Sequence, residues 1–455
     1  MSAQETQTRK TVDPASLLAE LRHARPVARV GRIASIAAGK IQVTGLTDVA
    51  AMGELVAFED GSYGEVIEIG EAHVTVLSEA APDGMVRGSA VRHLGPAGIA
   101  PDAAWVGRIV DPFGRPLDGR PLLRGPDMRP LIPPHGNPAD RRGLGSRLAT
   151  GQTLFDTLLP IARGQRIGLF AGPGVGKSTL LGRLATGIEA DVVIVALIGE
   201  RGRELREFTD KILGAAGLEK SIVVAATADQ SPLLRRRCAY TAMTLAEHFR
   251  DAGSHVLLLA DSVTRFADAH REIALAAGEA AGLGGYPASV AQRIMALAER
   301  AGPGTDTCND ITAIFTVLVS GEDMDGPLAD ILRGVLDGHV ILDRAIAERG
   351  RFPAVDILRS VSRALPGVAT ADEVAMISDA RRMLAVHEDA ALMVQAGLYQ
   401  PGSDADIDRA LEIVPRLEAF VQARAPGGIS ESFSELAGAL VPDDAGVPGS
   451  EEGLG

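Results

Sequence analysis

Cysteines and aromatic residues are scarce in this chain, and their scarcity excludes several classes of protein. Its 455 residues include two cysteines, Cys238 and Cys308, and aromatic residues make up 4% of the chain. Two distant cysteines form neither the disulfide framework of a small secreted domain nor the paired spacing of a zinc site. The first residues are polar and lack the apolar core of a secretory signal, so we expect a protein of a reducing compartment.

Long hydrophobic runs and an excess of basic residues are also missing. No apolar run approaches the ~20 residues that cross a bilayer. The longest, residues 192–198, has the length of a buried strand. Acidic residues outnumber basic ones, 59 to 45, and the net charge is −14. Proteins that neutralise nucleic-acid phosphates normally carry basic surfaces, so we expect no nucleic-acid partner. Hydrophobic residues make up 46%, enough for a large folded core.

The chain begins with a polar segment, residues 1–26, which we predict to be an N-terminal arm. Leu17, Leu18 and Leu21 would share one face of this segment if it were helical. Two interpretations stay open: a frayed end, or a helix that docks or supports self-assembly.

Residues 27–96 predict a small β-barrel domain. Short apolar runs alternate there with turn residues, which is typical of antiparallel barrels. A nucleic-acid-binding barrel is the alternative, but this segment offers only Phe58 and Tyr63 for stacking bases. We therefore favour a structural or assembly role for the barrel.

The remainder predicts an α/β domain, a helical domain and a tail. The predicted α/β domain spans residues 97–371 and begins with a connecting segment, 97–150, that is rich in Gly, Pro and Arg. From residue 151 to about 366, near-continuous apolar strands alternate with helices, which predicts a mostly parallel sheet covered on both faces. Strands are expected at residues 166–170, 192–197, 222–226, 255–260, 311–319 and 340–342. Residues 372–441 predict a C-terminal helical domain with helices at 372–386, 388–396 and 407–423, the last kinked or split by Pro415. Residues 442–455 are rich in Gly, Pro and acids and predict a disordered tail.

The clearest motif is a phosphate-binding loop. Residues 171–179 read A-G-P-G-V-G-K-S-T between a predicted strand and a predicted helix, the context that G-x-x-x-x-G-K-[ST] requires. The glycines let backbone N–H groups wrap a phosphate at a helix N-terminus. Lys177 can reach the β- and γ-phosphates of ATP, and Ser178 can hold Mg²⁺. The first position is Ala171, which is small enough to replace the usual glycine. The predicted nucleotide-binding residues are Ala171, Gly172, Pro173, Gly174, Val175, Gly176, Lys177, Ser178 and Thr179.

Two acidic residues follow predicted strands. Asp261 comes directly after the apolar run 255–260, at the sheet edge where ligands bind in open α/β folds. Such an acid can position Mg²⁺ directly or through its water shell, so we predict Asp261 as a metal ligand beside Ser178. Glu200 follows the strand at residues 192–198, where a carboxylate could polarise the attacking water. The alternative is an acid that stabilises the start of a helix.

A decapeptide, P-A-V-D-I-L-R-S-V-S at residues 353–362, resembles the signature of the rotary ATPases and their relatives at every defined position. Within that superfamily the chain resembles the ATPases of type III protein export, and their flagellar members most, over residues 27–425. The segments that carry this likeness are D-S-V-T-R-F-A at 261–267, R-E-I-A at 271–274, G-Y-P at 285–287, E-R-A-G at 299–302, G-E-D-M-D at 321–325 and S-V-S-R at 360–363.

The resemblance implies a fold and a set of catalytic roles. The fold is an N-terminal β-barrel, a RecA-like P-loop ATPase domain and a C-terminal helical domain. Glu200 matches the catalytic glutamate, Arg201 a neighbouring phosphate-contacting arginine, and Arg363 an arginine that reaches the nucleotide of the adjacent subunit. With Lys177 these form the predicted catalytic set.

The resemblance also implies partners and a location. We expect a homohexamer that hydrolyses ATP with Mg²⁺ and drives flagellar protein export. Its expected partners are a regulatory stator-like subunit, which the N-terminal arm would help to bind, export chaperone–cargo complexes and the membrane export gate. The expected location is the cytoplasm, at the periphery of the inner-membrane export apparatus.

The chain departs from the family pattern between residues 278 and 296. Alanines at 280, 281 and 288, and Ile294-Met295, stand where the family often has prolines or Leu-Pro. The sequence therefore does not predict the conformation of this loop region.

Four other functions share parts of this pattern. An injectisome secretion ATPase shares the chemistry and the fold. A rotary ATP synthase catalytic β subunit is disfavoured by the export-type segments and by T-A-D-Q-S-P-L-L-R at residues 227–235. A hexameric RNA translocase would need an RNA-binding module that the acidic charge and aromatic-poor barrel do not provide. A non-catalytic nucleotide-binding subunit is disfavoured by Glu200.

Overall fold

The computed structural model describes residues 27–37, 39–134, 136–319 and 326–441, with only the backbone at Leu283. The predicted arm, the predicted tail and the G-E-D-M-D segment lie outside the described residues. Within the described ranges, no helix is both long and apolar enough to cross a membrane.

Six short strands close an antiparallel barrel, as the sequence predicts. Alternate side chains point into a barrel, so Ile41, Val43, Val74 and Val76 are fully buried. The order around the barrel is β1-β2-β5-β4-β3-β6. The strands are β1 Val30–Ala37, β2 Lys40–Thr44, β3 Leu55–Phe58, β4 Tyr63–Ile69, β5 Val74–Ser78 and β6 Ala90–Gly95.

An eight-stranded sheet follows, in the order β16-β15-β10-β14-β13-β11-β12-β8. Neighbours run parallel except for the antiparallel pair of β15 and β16. Its strands are β8 Arg108–Val110, β10 Arg166–Ala171, β11 Val192–Glu200, β12 Ser221–Thr227, β13 Val256–Asp261, β14 Ile311–Leu318, β15 Gly338–Leu342 and β16 Val355–Ser362. Strands β7 Gly98–Ile99 and β9 Arg129–Pro130 form a separate pair. All six predicted strands are present, while β16, which most of the decapeptide forms, was not predicted.

Helices cover both faces of this sheet, which confirms the α/β fold class. Helices α5 and α6 pack through Met243 and Phe266 on one face, and α2 packs through Leu180 and Leu184 on the other. The helices of this region are α1 Thr153–Asp156, α2 Lys177–Gly187, α3 Gly202–Glu207, α4 Gly214–Glu219, α5 Pro232–Asp251, α6 Val263–Ala276, α7 Ala288–Arg300, α8 Pro327–Val335 and α9 Arg344–Glu348. A π-helical turn, Phe208–Leu213, separates α3 from α4.

Three further helices complete the described chain: α10 Ala371–Gln395, α11 Ala405–Gln422 and α12 Gly428–Leu440. The prediction of two helices at 372–386 and 388–396 was wrong, because α10 runs through both segments as one helix. The prediction that Pro415 splits the third helix was also wrong, because α11 continues through this residue, with Ile413, Val414 and Leu417 buried. Packing of this apolar face offsets the backbone hydrogen bond that proline cannot make. Helix α12 was not predicted, and the domain boundaries at residues 96 and 371 stay a prediction.

The loop between α6 and α7 has a defined conformation despite its missing prolines. The Glu279 carboxylate accepts hydrogen bonds from the backbone N–H of Ser289, at 2.9 Å, and from its hydroxyl, at 2.6 Å. The backbone N–H of Gly282 donates to the carbonyl of Tyr286 at 3.0 Å. Side-chain capping of the first turn of α7 therefore fixes this loop.

Arginines of α5 join the barrel to the sheet. Arg236 is buried and donates a hydrogen bond to the Glu65 carboxylate on β4. The neighbouring Arg237 stacks over the ring of Phe113 at 4.1 Å, and that ring lies 4.7 Å from Tyr63 of the barrel. A buried ion pair and a cation–π stack therefore hold the two units together.

Glu65→Ala tests the ion pair. The substitution leaves the Arg236 guanidinium buried without its carboxylate, which should lower the free energy of unfolding by about 3 kcal/mol. Urea unfolding followed by circular dichroism measures the loss. Glu348→Ala is the matched control, because it removes an exposed pair with Arg344 and should cost less than about 1 kcal/mol. Equal midpoints for the two variants would show that the Glu65 pair does not stabilise the fold.

Candidate active site

The phosphate-binding loop joins the end of β10 to the start of α2. Ala171 is the last residue of β10 and is paired with Leu318 and Leu342 on the flanking strands. Because the first position of the motif is a buried strand residue, alanine can replace the usual glycine there. Gly174 and Gly176 have φ values of 77° and 86°, which strongly favour glycine.

The first turn of α2 presents backbone N–H groups without side-chain partners. Its N-cap, Gly176, provides no side-chain hydrogen bond, and the first turn contains no acidic residue. Unpaired N–H groups and the helix dipole together favour an anion at this end of α2. The loop thus has the geometry of a phosphate site.

Lys177 contacts both acidic residues that the sequence analysis singled out. Its ammonium Nζ donates to Asp261 Oδ1 and lies 3.6 Å from Glu200 Oε1. The three residues come from α2, β13 and β11, and the two carboxylates stand at the carboxyl ends of strands that are neighbours in the sheet. The structure therefore brings Lys177, Glu200 and Asp261 together.

Thr316 is a further member of the cluster that the sequence analysis missed. Its hydroxyl donates to Asp261 Oδ1 at 2.7 Å from the adjacent strand β14, and it is fully buried. The only available signal was a polar residue within the apolar run at residues 311–318. This hydrogen bond orients the Asp261 carboxylate toward Lys177.

The Glu200 carboxyl has an unusual protonation equilibrium. Burial raises its pKa to about 7, the negative charges of Asp261 and Glu204 act in the same direction, and the Lys177 ammonium opposes them. Glu204, on α3, was not singled out from the sequence. A carboxyl group whose pKa lies near neutral pH suits general-base or water-orienting chemistry.

The donor set fits Mg²⁺. The Ser178 hydroxyl and the Asp261 carboxylate are hard oxygen donors of the kind that this ion prefers. In the part of the chain that the structure describes, no group of three or more His, Cys, Asp or Glu side chains could hold a metal ion alone. The remaining ligands would come from phosphate oxygens and water, as is usual for Mg²⁺ at nucleotide sites.

The two predicted arginines lie apart from this cluster. Arg201 is mostly exposed, and its guanidinium is 3.3 Å from Glu204. Arg363 follows β16 and donates to the carbonyl of Arg333 at 3.1 Å. Among the described residues, neither guanidinium contacts Lys177, Glu200 or Asp261.

A cavity of about 430 Å³ opens beside the loop and was not predicted. The ring of Phe352 forms one wall and lies so close to the loop that a Cβ on Gly176 would be 3.3 Å from it. Phe352 immediately precedes the decapeptide, which was the only hint in the sequence. The cavity is lined by Gly174, Gly176, Thr179, Leu180, Arg183, Phe352 and Pro353. Its size and its aromatic wall suit a small planar ligand.

Two family models match the chain. Residues 151–362 match the nucleotide-binding domain of the ATP synthase alpha/beta family, and residues 369–436 match the T3SS EscN ATPase C-terminal domain. Among curated proteins, the flagellum-specific ATP synthase of Caulobacter vibrioides is 42% identical, covering 89% of this chain and 94% of the relative. That of Salmonella typhimurium is 47% identical, with 70% of each chain covered.

Solved structures agree with these matches. The assembled ATPase EscN from the enteropathogenic E. coli type III secretion system superposes with a TM-score of 0.84 at 36% identity, covering 90% of this chain and 100% of EscN. A second structure, of EscN with its central stalk EscO, gives a TM-score of 0.83 at the same identity and coverage. Motif, fold and relatives thus agree, and the chain belongs to the ATP synthase alpha/beta family, as a P-loop ATPase of its flagellar and type III secretion group.

Proposed function

We propose that this ATPase hydrolyses ATP at the cluster of Lys177, Glu200 and Asp261. The observation that carries the proposal is the position of one ammonium, at the phosphate-binding end of α2, against two carboxylates of different character. Asp261 is buried and hydrogen-bonded by Thr316, whereas burial and neighbouring charges hold the pKa of Glu200 near neutrality. Two acids in such different environments suit two different tasks.

The assigned roles follow from these environments. Phosphate oxygens of ATP would compete with the carboxylates for the Lys177 ammonium, and backbone N–H groups of residues 174–179 would hold the same phosphates. Glu200, released from Lys177, would orient and polarise the attacking water. Mg²⁺, held by Ser178 and Asp261, would neutralise charge on the phosphates. The base would stack on Phe352 in the adjoining cavity.

The subunit arrangement is part of the proposal. Arg363 does not contact the cluster of its own chain and donates to the carbonyl of Arg333 instead, which is compatible with a role at the nucleotide of a neighbouring copy. One gene product would then supply Glu200 to one side of each interface and Arg363 to the other, forming a homohexameric ring with nucleotide between subunits. The assembled state of the related EscN supports this arrangement. Arg201, at the start of α3, is proposed to contact phosphate once it leaves Glu204.

The biological role that fits best is flagellar protein export, because the curated relatives at about 42% identity are named flagellum-specific. A stator-like regulatory subunit, chaperone–cargo complexes and a membrane export gate would be the partners of a cytoplasmic ATPase that associates peripherally with the inner membrane. The reported complex of EscN with its stalk EscO supports a protein partner for the ring. An injectisome role is the second candidate, favoured by the likeness to EscN.

Glu200→Gln tests the water-orienting role. Glutamine keeps the size of the side chain but cannot accept a proton, so nucleotide binding should persist while kcat falls about 10²–10⁴-fold. Steady-state phosphate release and binding of a fluorescent ATP analogue measure the two effects. Lys177→Ala is the contrasting variant and should weaken binding as well as turnover. Near-normal turnover in Glu200→Gln would remove this residue from the role.

The pH dependence of kcat/KM tests the environment of Glu200. Because its pKa is raised to about 7 in the free enzyme, the carboxyl is protonated below that pH, and kcat/KM should fall as pH drops from about 8 to about 6. Glu204→Gln removes a negative charge that raises this pKa, so the loss of kcat/KM should occur at lower pH in this variant. Glu207→Gln removes an exposed charge from the same helix and should leave the pH profile of kcat/KM unchanged. A flat profile would contradict the assignment.

Mixing of variants tests the shared site. Glu200→Gln and Arg363→Ala should each be nearly inactive, since every site of either ring lacks one group. Random mixed rings of equal parts would contain about a quarter of sites with both groups intact, and activity should return in proportion. Differently tagged subunits verify that mixed rings form. Mixed rings without activity would show that Arg363 does not act in trans.

A further inference from the structure

Arg183 lies on the wall of the cavity that Phe352 borders. It belongs to α2, four residues after Thr179, so both side chains lie on the same face of the helix. The rise of 1.5 Å per residue places Arg183 about 9 Å along the helix axis from Lys177. It is therefore too far along the helix to share the phosphate position of Lys177, and it borders the part of the cavity farther from the phosphates.

The guanidinium of Arg183 has no partner among the described residues. No carboxylate, carbonyl or aromatic ring in the described ranges pairs with it, although the residue is half-buried. Of the other arginines near Phe352, Arg344 pairs with Glu348 at 2.9 Å. Arg351 donates through its Nη2 to the carbonyl of Val355 at 2.6 Å, while its buried Nε has no partner among the described residues. Arg183 thus contributes free donors to a cavity that has a flat apolar wall.

The chemistry of the guanidinium selects what it can bind there. It carries five N–H donors and no acceptor, so it needs an acceptor on the ligand. Purine rings present acceptor nitrogens at their edges, such as N7. A purine stacked on Phe352 would offer such an edge to a donor on the neighbouring wall.

We propose that Arg183 donates a hydrogen bond to an acceptor nitrogen at the edge of the purine base, and so sets the preference of this ATPase for its nucleotide. The inference rests on the proposed placement of the base on Phe352. Arg183 lies outside the phosphate-binding loop, and its contribution to the binding free energy would depend on the base alone.

Nucleotide analogues measure this contact directly. The full-length chain, with Mg²⁺, is titrated with ATP, 7-deaza-ATP, 1-deaza-ATP and 2′-deoxy-ATP in competition with a fluorescent ATP analogue. In the wild type, the deaza analogue that lacks the contacted nitrogen should bind about tenfold more weakly than ATP. Arg183→Met should bind ATP about tenfold more weakly, and for this variant the same deaza substitution should no longer matter. Arg183→Lys keeps a charged donor and should restore part of the discrimination.

Arg344 provides a matched control, because it lies on the other side of the Phe352 ring. Phe352 and Arg344 also border a second cavity, of about 370 Å³. Arg344→Met should leave both ATP affinity and the deaza penalty unchanged. If the deaza penalty disappears in Arg344→Met instead, the base occupies the second cavity and the assignment to Arg183 is wrong.

Other outcomes also overturn the inference. An equal deaza penalty in wild type and Arg183→Met would show that Arg183 does not contact the base. A 2′-deoxy penalty that only Arg183→Met abolishes would indicate a ribose contact. If the wild type hydrolyses ATP but shows neither pattern, only this inference fails. If the wild type neither binds nor hydrolyses ATP, the proposed function fails with it.

Discussion

The contact of the Lys177 ammonium with two carboxylates is the interaction on which the site depends. Glu200 and Asp261 end two neighbouring strands of the sheet, and Lys177 begins the helix that follows β10. Register fixes the acids: Asp261 pairs with Leu197 across β13 and β11, and Glu200 lies three residues farther along β11. Because the strands are parallel, their carboxyl ends meet at one edge, where α2 begins. The fold thus brings charges together that are far apart in sequence.

The charges of Lys177, Glu200 and Asp261 also favour the binding of a phosphate at this site. Without nucleotide, Lys177 lies between two acids, and the pKa of Glu200 is raised chiefly by burial and then by the charge of Asp261, against the opposing effect of the Lys177 ammonium. A phosphate group gives Lys177 and the N–H groups of α2 a stronger anionic partner. In the proposed mechanism, binding of the substrate would change the environment of Glu200, and binding would thereby be coupled to the chemical step.

The sequence predicted those parts of the structure that depend on local pattern. The phosphate-binding loop was predicted because the backbone itself makes such a site, and Asp261 was predicted because it follows an apolar strand. The position of Glu200 after a strand left its role open, and the family resemblance supplied the prediction. Phe352 and Thr316 were not, since their roles arise from contacts with Gly176 and Asp261, 176 and 55 positions away respectively. The helix breaks expected after residue 386 and at Pro415 were wrong for a similar reason: packing of buried faces prevailed over local propensity.

A structure of the chain with Mg²⁺ and a non-hydrolysable ATP analogue tests the proposed site most directly. We predict that Lys177 Nζ leaves Asp261 for the phosphate oxygens, and that Glu200 holds an ordered water facing the terminal phosphate. A complex in which Lys177 stays on Asp261, or in which Glu200 turns away from the phosphate, would contradict this prediction.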